Sequence, residues 1–112
     1  MITRNIKTEA VKENPHGVEV KQMYNDASAQ IMHIALKPGE SLKPHKTPVD
    51  VAFFILEGEP TIHIGDESKG FSANTLIESP AGIVHYISNE QSDRARILVI
   101  KAPRPEQATR VL

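Results

Sequence analysis

Short apolar segments separated by turn residues make up most of the hydrophobic pattern of this chain. The segment 18–24 alternates with a period of two, placing Val18 and Val20 on one face and Glu19 and Lys21 on the other. Similar segments, bounded by Gly, Pro, Asn or Asp, are 30–36, 41–47, 51–56, 61–64, 75–78, 83–88 and 94–102. None has the apolar spacing of a long helix, so the pattern predicts an all-β sandwich or barrel.

Two of these segments, 30–36 and 51–56, are apolar on both faces, and the second is the uninterrupted run Val-Ala-Phe-Phe-Ile-Leu. A strand that is covered on one side only should alternate between apolar and polar residues. One face of each segment must therefore line an interior, and the other must be covered by a second layer or a partner subunit. We expect a homodimer on this ground.

Composition limits the classes of function. The 112 residues suit a single domain, 1–112, that ends in a polar tail over 103–112. Lys and Arg number 13 against 14 Asp and Glu, a net charge of -1 that gives no reason to expect a nucleic acid or membrane partner. The chain has no cysteine, which excludes disulfides, thiolate ligands and a cysteine nucleophile. No apolar run suits a signal peptide or a membrane span, so we expect a cytoplasmic protein.

Two stretches, 38–58 around His45 and 74–89 around His85, each have the form of a sequence motif. Together they resemble the paired motifs of the cupin superfamily. The first, 38–58, opens with Pro-Gly, contains His45 and closes with Leu-Glu-Gly. The second, 74–89, contains Pro-x-Gly-x-x-His-x-x-x-Asn around His85, with Asn74 where the family has glycine. Asn tolerates positive φ, so this departure is mild. The resemblance implies a double-stranded β-helix, or jelly-roll barrel, of the cupin type.

The family's motifs bring two His and a Glu from the first stretch together with one His from the second, as metal ligands in the barrel mouth. By position, His45 and His85 match the first and last of these ligands, whereas Thr47 and Val51 stand at the second His and the Glu. The resemblance therefore implies a metal site at His45 and His85 that lacks two of its usual ligands. The expected cofactor is a divalent transition metal, Zn, Fe, Ni, Mn or Cu, and neutral imidazole is a good ligand for Zn, Fe, Ni and Cu.

The residues themselves support a shared pocket. His45 and Thr47 lie two apart and so share a strand face, while His85 lies on a distant segment. If these faces meet inside a barrel, two imidazoles share an apolar pocket. The residues that we expect as further ligands or pocket contacts are Thr47, His33, Val51, Phe53, Ile55, Ile83 and Ile87.

The other three histidines are expected in different environments. His33 is the candidate third ligand, although the opposite strand register would turn it outward. His63 lies between two isoleucines that we expect in the core, so it should face out. His16 follows Asn-Pro in a turn, and we expect it to be solvated.

Three functions are compatible with these features. The first is a metal-dependent enzyme of the cupin dioxygenase or isomerase type, acting on a small organic molecule. The second is a metal-free module that binds a small ligand through apolar walls and two imidazoles. The third is an oligomeric scaffold with an inert pocket. The motifs favour the metal-binding cupin, and they specify neither the substrate nor whether the protein is catalytic.

Overall fold

A computed structural model of the chain, which describes residues 1–107 and 109–112, consists of two antiparallel sheets. In chain order the strands are Glu19–Asp26 (β1), Ala29–Leu36 (β2), His45–Lys46 (β3), Val51–Glu57 (β4), Thr61–Ile64 (β5), Glu67–Gly70 (β6), Leu76–Ser79 (β7), His85–Ser88 (β8), Ala95–Lys101 (β9) and Arg110–Val111 (β10). The first sheet has the order β1-β2-β9-β4-β7, and the second has the order β10-β3-β8-β5-β6. The predicted all-β architecture is confirmed. Within the described ranges there is no helix, and so none that is long and apolar enough to cross a membrane.

The core lies between the two sheets. Val51, Phe53 and Ile55 of β4 are at most 3% exposed, while the residues between them are half-buried. This period of two follows from the pleat of a strand with one face in the interior. The second sheet contributes Ile62 and Ile87 to the same core. Side chains that point inward near the open end of the barrel are therefore placed around a common space.

The N-terminal segment packs against β1, the edge strand of the first sheet. The Lys21 ammonium donates a hydrogen bond to the Ile6 carbonyl at 2.6 Å, and the Lys12 N–H donates to the Val20 carbonyl at 2.7 Å. These contacts lie on β1 and do not identify what covers the outer face of the doubly apolar segment 30–36 in β2. The homodimer stays a prediction.

The last residues return to the second sheet instead of forming only a polar tail. Val111 pairs with His45 across β10 and β3, and the Leu112 N–H donates to the Pro44 carbonyl. A two-residue strand is too short to produce a readable pattern. The segment 41–47 is likewise shorter as a strand than predicted, because Pro44 has no N–H to contribute to a ladder.

Two turns need a backbone with positive φ. Asn74 has a φ of 71°, which agrees with its reading as a substitute for glycine, and its N–H donates to the Ile55 carbonyl. Gly58, at the end of the first motif, has a φ of +81°, and its α-carbon faces the backbone of Arg94 and Ala95. The turn after β4 therefore requires both the freedom and the small size of glycine.

Replacing Gly58 tests this packing. A Cβ at Gly58 would clash with the Arg94 carbonyl oxygen, whereas a Cβ at Gly39, which has the same φ of +81°, would meet nothing within 4 Å. Gly39→Ala should cost about 1–2 kcal/mol of unfolding free energy for the left-handed backbone alone. Gly58→Ala should cost clearly more, as measured by urea denaturation. Equal losses in the two variants would show that the close approach at Gly58 does not matter.

Candidate functional site

The two motif histidines lie side by side on neighbouring strands. His45 of β3 pairs directly with His85 of β8, and their ring centroids are 4.6 Å apart in an edge-to-face arrangement. His45 is 7% exposed and His85 is 1% exposed. The two distant motifs are thus brought together at one buried position.

Both ring nitrogens of His85 are occupied by hydroxyl groups. Nδ1 lies 2.6 Å from the Ser79 Oγ, and Nε2 lies 3.1 Å from the Thr47 Oγ1. A neutral imidazole has one donor and one acceptor nitrogen, so one hydroxyl accepts from the ring and the other donates to it. Burial, together with the charges of His45 and Lys101, lowers the pKa of His85 from 6.5 to about 4. His85 is therefore neutral at pH 7 and has no free nitrogen.

The backbone of Lys43 holds two other imidazoles in defined tautomers. His45 Nδ1 lies 2.6 Å from the Lys43 carbonyl oxygen, and the Lys43 N–H donates to His16 Nδ1 at 2.9 Å. A carbonyl can only accept and an N–H can only donate. His45 therefore carries its proton on Nδ1 and has a lone pair on Nε2, whereas neutral His16 carries its proton on Nε2. The two rings are 4.8 Å apart.

Burial keeps both of these rings neutral. It is the main cause that lowers the pKa of His16 from 6.5 to about 4, with smaller contributions from His45, Lys43 and Lys101. Burial also lowers the pKa of His45, against the opposing effect of its hydrogen bond to the Lys43 backbone.

A cavity of about 250 Å³ opens beside these histidines. Its apolar wall consists of Val20, Met32, Ile34, Leu42, Phe53 and Val99. Its polar lining includes His16, Gln30, His45, Thr47, His85, Lys101 and Thr109, and the segment 12–15 lies beside it. Cavities that hold drug-sized ligands measure roughly 300–1,000 Å³, so this one suits a smaller molecule.

Lys101 places a positive charge in the cavity. It follows the buried Ile97 and Val99 on the inward face of β9, and burial lowers its pKa from 10.5. Its ammonium donates a hydrogen bond to the Thr109 hydroxyl at 3.4 Å. In the described part of the chain, no carboxylate lies within ion-pair distance of it. Lys101 was not among the predicted site residues. If the alternation of the segment 94–102 is extended to its end, it predicts that the Lys101 side chain points inward.

His33 lies on the opposite side of the first sheet from the cavity. It is fully buried, and its Nε2 accepts a hydrogen bond from Arg96 Nε at 3.0 Å, while Arg96 also pairs with Glu57. Even-numbered residues of β2 such as Met32 line the cavity, so the odd-numbered His33 must face away. The expectation that His33 joins the site is wrong.

The remaining predicted residues divide into three groups. Thr47 and Phe53 line the cavity as expected. The side chains of Val51, Ile55 and Ile87 are buried in the core and do not line it. Ile83 precedes β8 and is 41% exposed, so its expected place in the pocket is wrong.

His16 and His63 complete the account of the histidines. His16 was expected in solvent, but its turn folds back over the cavity and half-buries the ring. Asn-Pro-His-Gly predicts the turn, and no local pattern predicts what the turn packs against. His63 stacks on Tyr86 with ring centroids 3.9 Å apart, outside the cavity, and its Nε2 lies 2.9 Å from the Ser88 hydroxyl.

The donor set does not fit the resident metal that the first motif implies. Thr47 and Val51 occupy two of the four ligand positions, the Thr47 hydroxyl is engaged with His85, and both His85 nitrogens are used. His45 Nε2 is the one nitrogen of the expected ligands that is left free. Within 1–107 and 109–112, no group of three or more His, Cys, Asp or Glu residues is arranged to hold a metal ion. Firm zinc sites have three or four protein ligands.

Comparison with known proteins gives consistent matches. Residues 32–101 match the family model described as "Cupin domain". The curated protein MJ0764 of Methanocaldococcus jannaschii is 30% identical over 89 residues, which are 79% of this chain and 77% of the relative. The crystal structure of MJ0764, titled an RmlC-like cupin family protein with a double-stranded β-helix fold, superposes with a TM-score of 0.75 at 25% identity, covering 91% of this chain and 96% of that one. TT1209 from Thermus thermophilus superposes with a TM-score of 0.79 at 29% identity, covering 94% and 100%. The double-stranded β-helix expected from the motifs is confirmed.

The lowered histidine pKa values predict a pH-dependent stability. His16, His33 and His85 each have a pKa of about 4 in the folded chain, against 6.5 for an unperturbed histidine. Between pH 6.5 and 4 the unfolded chain binds more protons than the folded chain, so the unfolding free energy should fall as the pH is lowered through this range. Above pH 6.5 this contribution is fully present.

Urea denaturation at a series of pH values measures this effect. The variant His16→Gln, which keeps an acceptor for the Lys43 N–H, should show a shallower decline because it lacks one of the three groups. A stability that stays level between pH 6.5 and 4.5, or an unchanged slope in the variant, would contradict the burial argument.

Proposed function

The chain belongs to the cupin-domain family, and we propose that its cavity binds a small organic carboxylate without a resident metal ion. The observation that carries this proposal is Lys101, an inward-facing ammonium in a mainly apolar cavity with no carboxylate partner among the described residues. Lys101 is half-buried, and a charge that is partly removed from water without a counter-ion is costly, so a bound anion would offset part of that cost. Hydrogen bonds between an ammonium and a carboxylate are also among the strong ones.

The surrounding groups favour an anion over a cation. Lys101 lowers the pKa of His16, His45 and His85, so its charge acts on all three rings, although burial is the larger cause in each case. Lys12 and Glu13, which are exposed and of opposite charge, also line the cavity. Lys101 is the positive charge that acts on the three neutral imidazoles.

The apolar wall of the cavity favours a ligand whose carboxylate carries a hydrocarbon tail. Met32, Phe53 and Val99 offer hydrocarbon surface in the same cavity as the polar groups. A ligand with a short aliphatic or aromatic tail gains by burying it there, at about 25 cal/mol for each Å² removed from water. The cavity volume limits this tail to a few carbon atoms.

The competing proposal is a divalent metal at His45 and His85 that supports cupin enzyme chemistry. It is supported by the 4.6 Å separation of the two rings. It would require His85 to release Ser79 or Thr47, each within hydrogen-bond distance. The carboxylate proposal requires no such rearrangement, and we favour it for that reason.

Titration with 4-methylpentanoate, followed by ¹H–¹⁵N NMR on protein dialysed against EDTA, tests the proposal. We expect saturable shifts at cavity residues, and Lys101→Met should weaken binding at least about tenfold through loss of a charge-assisted hydrogen bond. Lys46→Met removes an exposed lysine on β3 and is the matched control that should leave the affinity unchanged.

The same titration distinguishes the metal alternative. Addition of Zn, Fe, Ni, Mn or Cu to the dialysed protein should leave the carboxylate affinity unchanged. Carboxylate binding that appears only with one of these metals, and disappears in both His45→Ala and His85→Ala, would contradict the proposal and support the metal site. Equal affinities for Lys101→Met and the unaltered protein would also contradict it.

A further inference from the structure

His16 and His45 both line the cavity, and among the described contacts each has one ring nitrogen without a hydrogen-bond partner, an N–H in one ring and a lone pair in the other. The Lys43 carbonyl accepts from His45 Nδ1, which leaves a lone pair on His45 Nε2, and the Lys43 N–H donates to His16 Nδ1, which leaves an N–H on His16 Nε2. Nε2 is the ring nitrogen farther from the backbone, so both free nitrogens lie at the outer ends of their rings. Among the described side chains, His33 Nδ1 is the one fully buried nitrogen or oxygen without a partner, so His45 Nε2 retains contact with solvent.

These two nitrogens and Lys101 form an asymmetric set of groups. His16 Nε2–H and the Lys101 ammonium are donors, and both suit the oxygens of a carboxylate. His45 Nε2 is an acceptor, and a carboxylate has no hydrogen to give it. The remaining imidazole, His85, is already satisfied by Ser79 and Thr47. A carboxylate alone would leave the His45 lone pair without a partner and close to negative charge.

We infer that the ligand is a 2-hydroxycarboxylate, with its hydroxyl donating to His45 Nε2 and its carboxylate accepting from Lys101 and His16 Nε2. This inference rests on the proposed function and specifies its ligand class. The two ring centroids are 4.8 Å apart and both residues line the same cavity, so one small ligand can contact both rings. His16 and His45 are ligand-binding residues in this arrangement, and Lys43 is a positioning residue that acts through its backbone.

Related acids match the hydrogen-bonding groups of His16, His45 and Lys101 less well. A 2-oxo acid and a 2-methoxy acid each lack the donor hydrogen that His45 needs. A 2-amino acid has donors, but its ammonium is repelled by the Lys101 charge in a cavity of low polarity. Sites built to hydrogen-bond a hydroxyl discriminate strongly against ligands that lack it, because a polar group of the site is then left unpaired.

A ligand series of constant shape tests the inference. The affinities of 2-hydroxy-4-methylpentanoate, 4-methylpentanoate and 2-methoxy-4-methylpentanoate are measured by NMR titration on the dialysed protein. We expect the hydroxy acid to bind at least about tenfold more tightly than the other two, the effect of one well-placed hydrogen bond. The unaltered protein alone decides this comparison, so it does not depend on whether a variant folds.

Three variants assign the roles. His45→Leu should abolish the preference for the hydroxy acid while retaining carboxylate binding, and His45→Gln, which restores an acceptor oxygen, should recover part of it. His16→Phe should weaken the hydroxy and unsubstituted acids by the same factor. His63→Gln, a change outside the cavity that keeps an acceptor near Ser88, is the control that should change neither affinity.

The outcomes separate this inference from the proposed function. Equal affinity for 2-hydroxy-4-methylpentanoate and 4-methylpentanoate would overturn the hydroxyl inference and leave carboxylate binding intact. Equally tight binding of the methoxy acid would overturn the assignment of His45 Nε2 as the acceptor. Binding of none of the three acids would overturn both.

Discussion

The polar half of the cavity depends on the hydrogen bonds that the backbone of Lys43 makes to two imidazoles. One residue offers its carbonyl to His45 and its N–H to His16. Because backbone groups cannot exchange donor and acceptor roles, the tautomers of both rings are determined by the fold. Lys43 is itself exposed, so its side chain contributes little to this arrangement. The complementary donor and acceptor that we assign to the ligand site follow from these two contacts.

His85 has a structural role at the junction of the sheets. Its hydrogen bond to Ser79 links β8 of the second sheet to β7 of the first, and its bond to Thr47 links it to the residue after β3. Thr47 occupies the position of a metal-ligating His in the first cupin motif. Its hydroxyl instead forms a hydrogen bond with the His85 imidazole. The same side chains that depart from the metal-binding pattern thus stabilise a neutral His85. This exchange of roles connects the motif changes with the anion site that we propose in the cavity.

Much of the fold could be predicted from the sequence, and the direction of several side chains could not. The short apolar segments and the two motifs predicted the strands and the meeting of His45 with His85. In the segment 30–36 apolar residues occupy both faces, so periodicity could not tell whether His33 pointed inward. Lys101 ends an apolar run on β9, and it was missed although the alternation along that run predicts its inward direction.

His16 was missed for a different reason. Its four-residue turn has a clear local signal, but the contact that matters joins it to Lys43, 27 residues away. Local propensity carries no information about such a contact, and only the packing of the N-terminal segment creates it. The path of whole strands likewise decides which inward-facing side chains line the cavity and which lie in the core. Val51 and Ile55 share a face with Phe53, yet only Phe53 reaches the cavity.

Long-range ¹H–¹⁵N NMR of the histidine rings in the unaltered protein at neutral pH tests this account most directly. It reports which nitrogen of each neutral imidazole carries the proton. We predict a proton on Nδ1 of His45 and on Nε2 of His16, with both rings neutral. A proton on Nε2 of His45, or a charged imidazolium at either position, would contradict the account, because the cavity would then lack the acceptor and donor pair that defines its ligand.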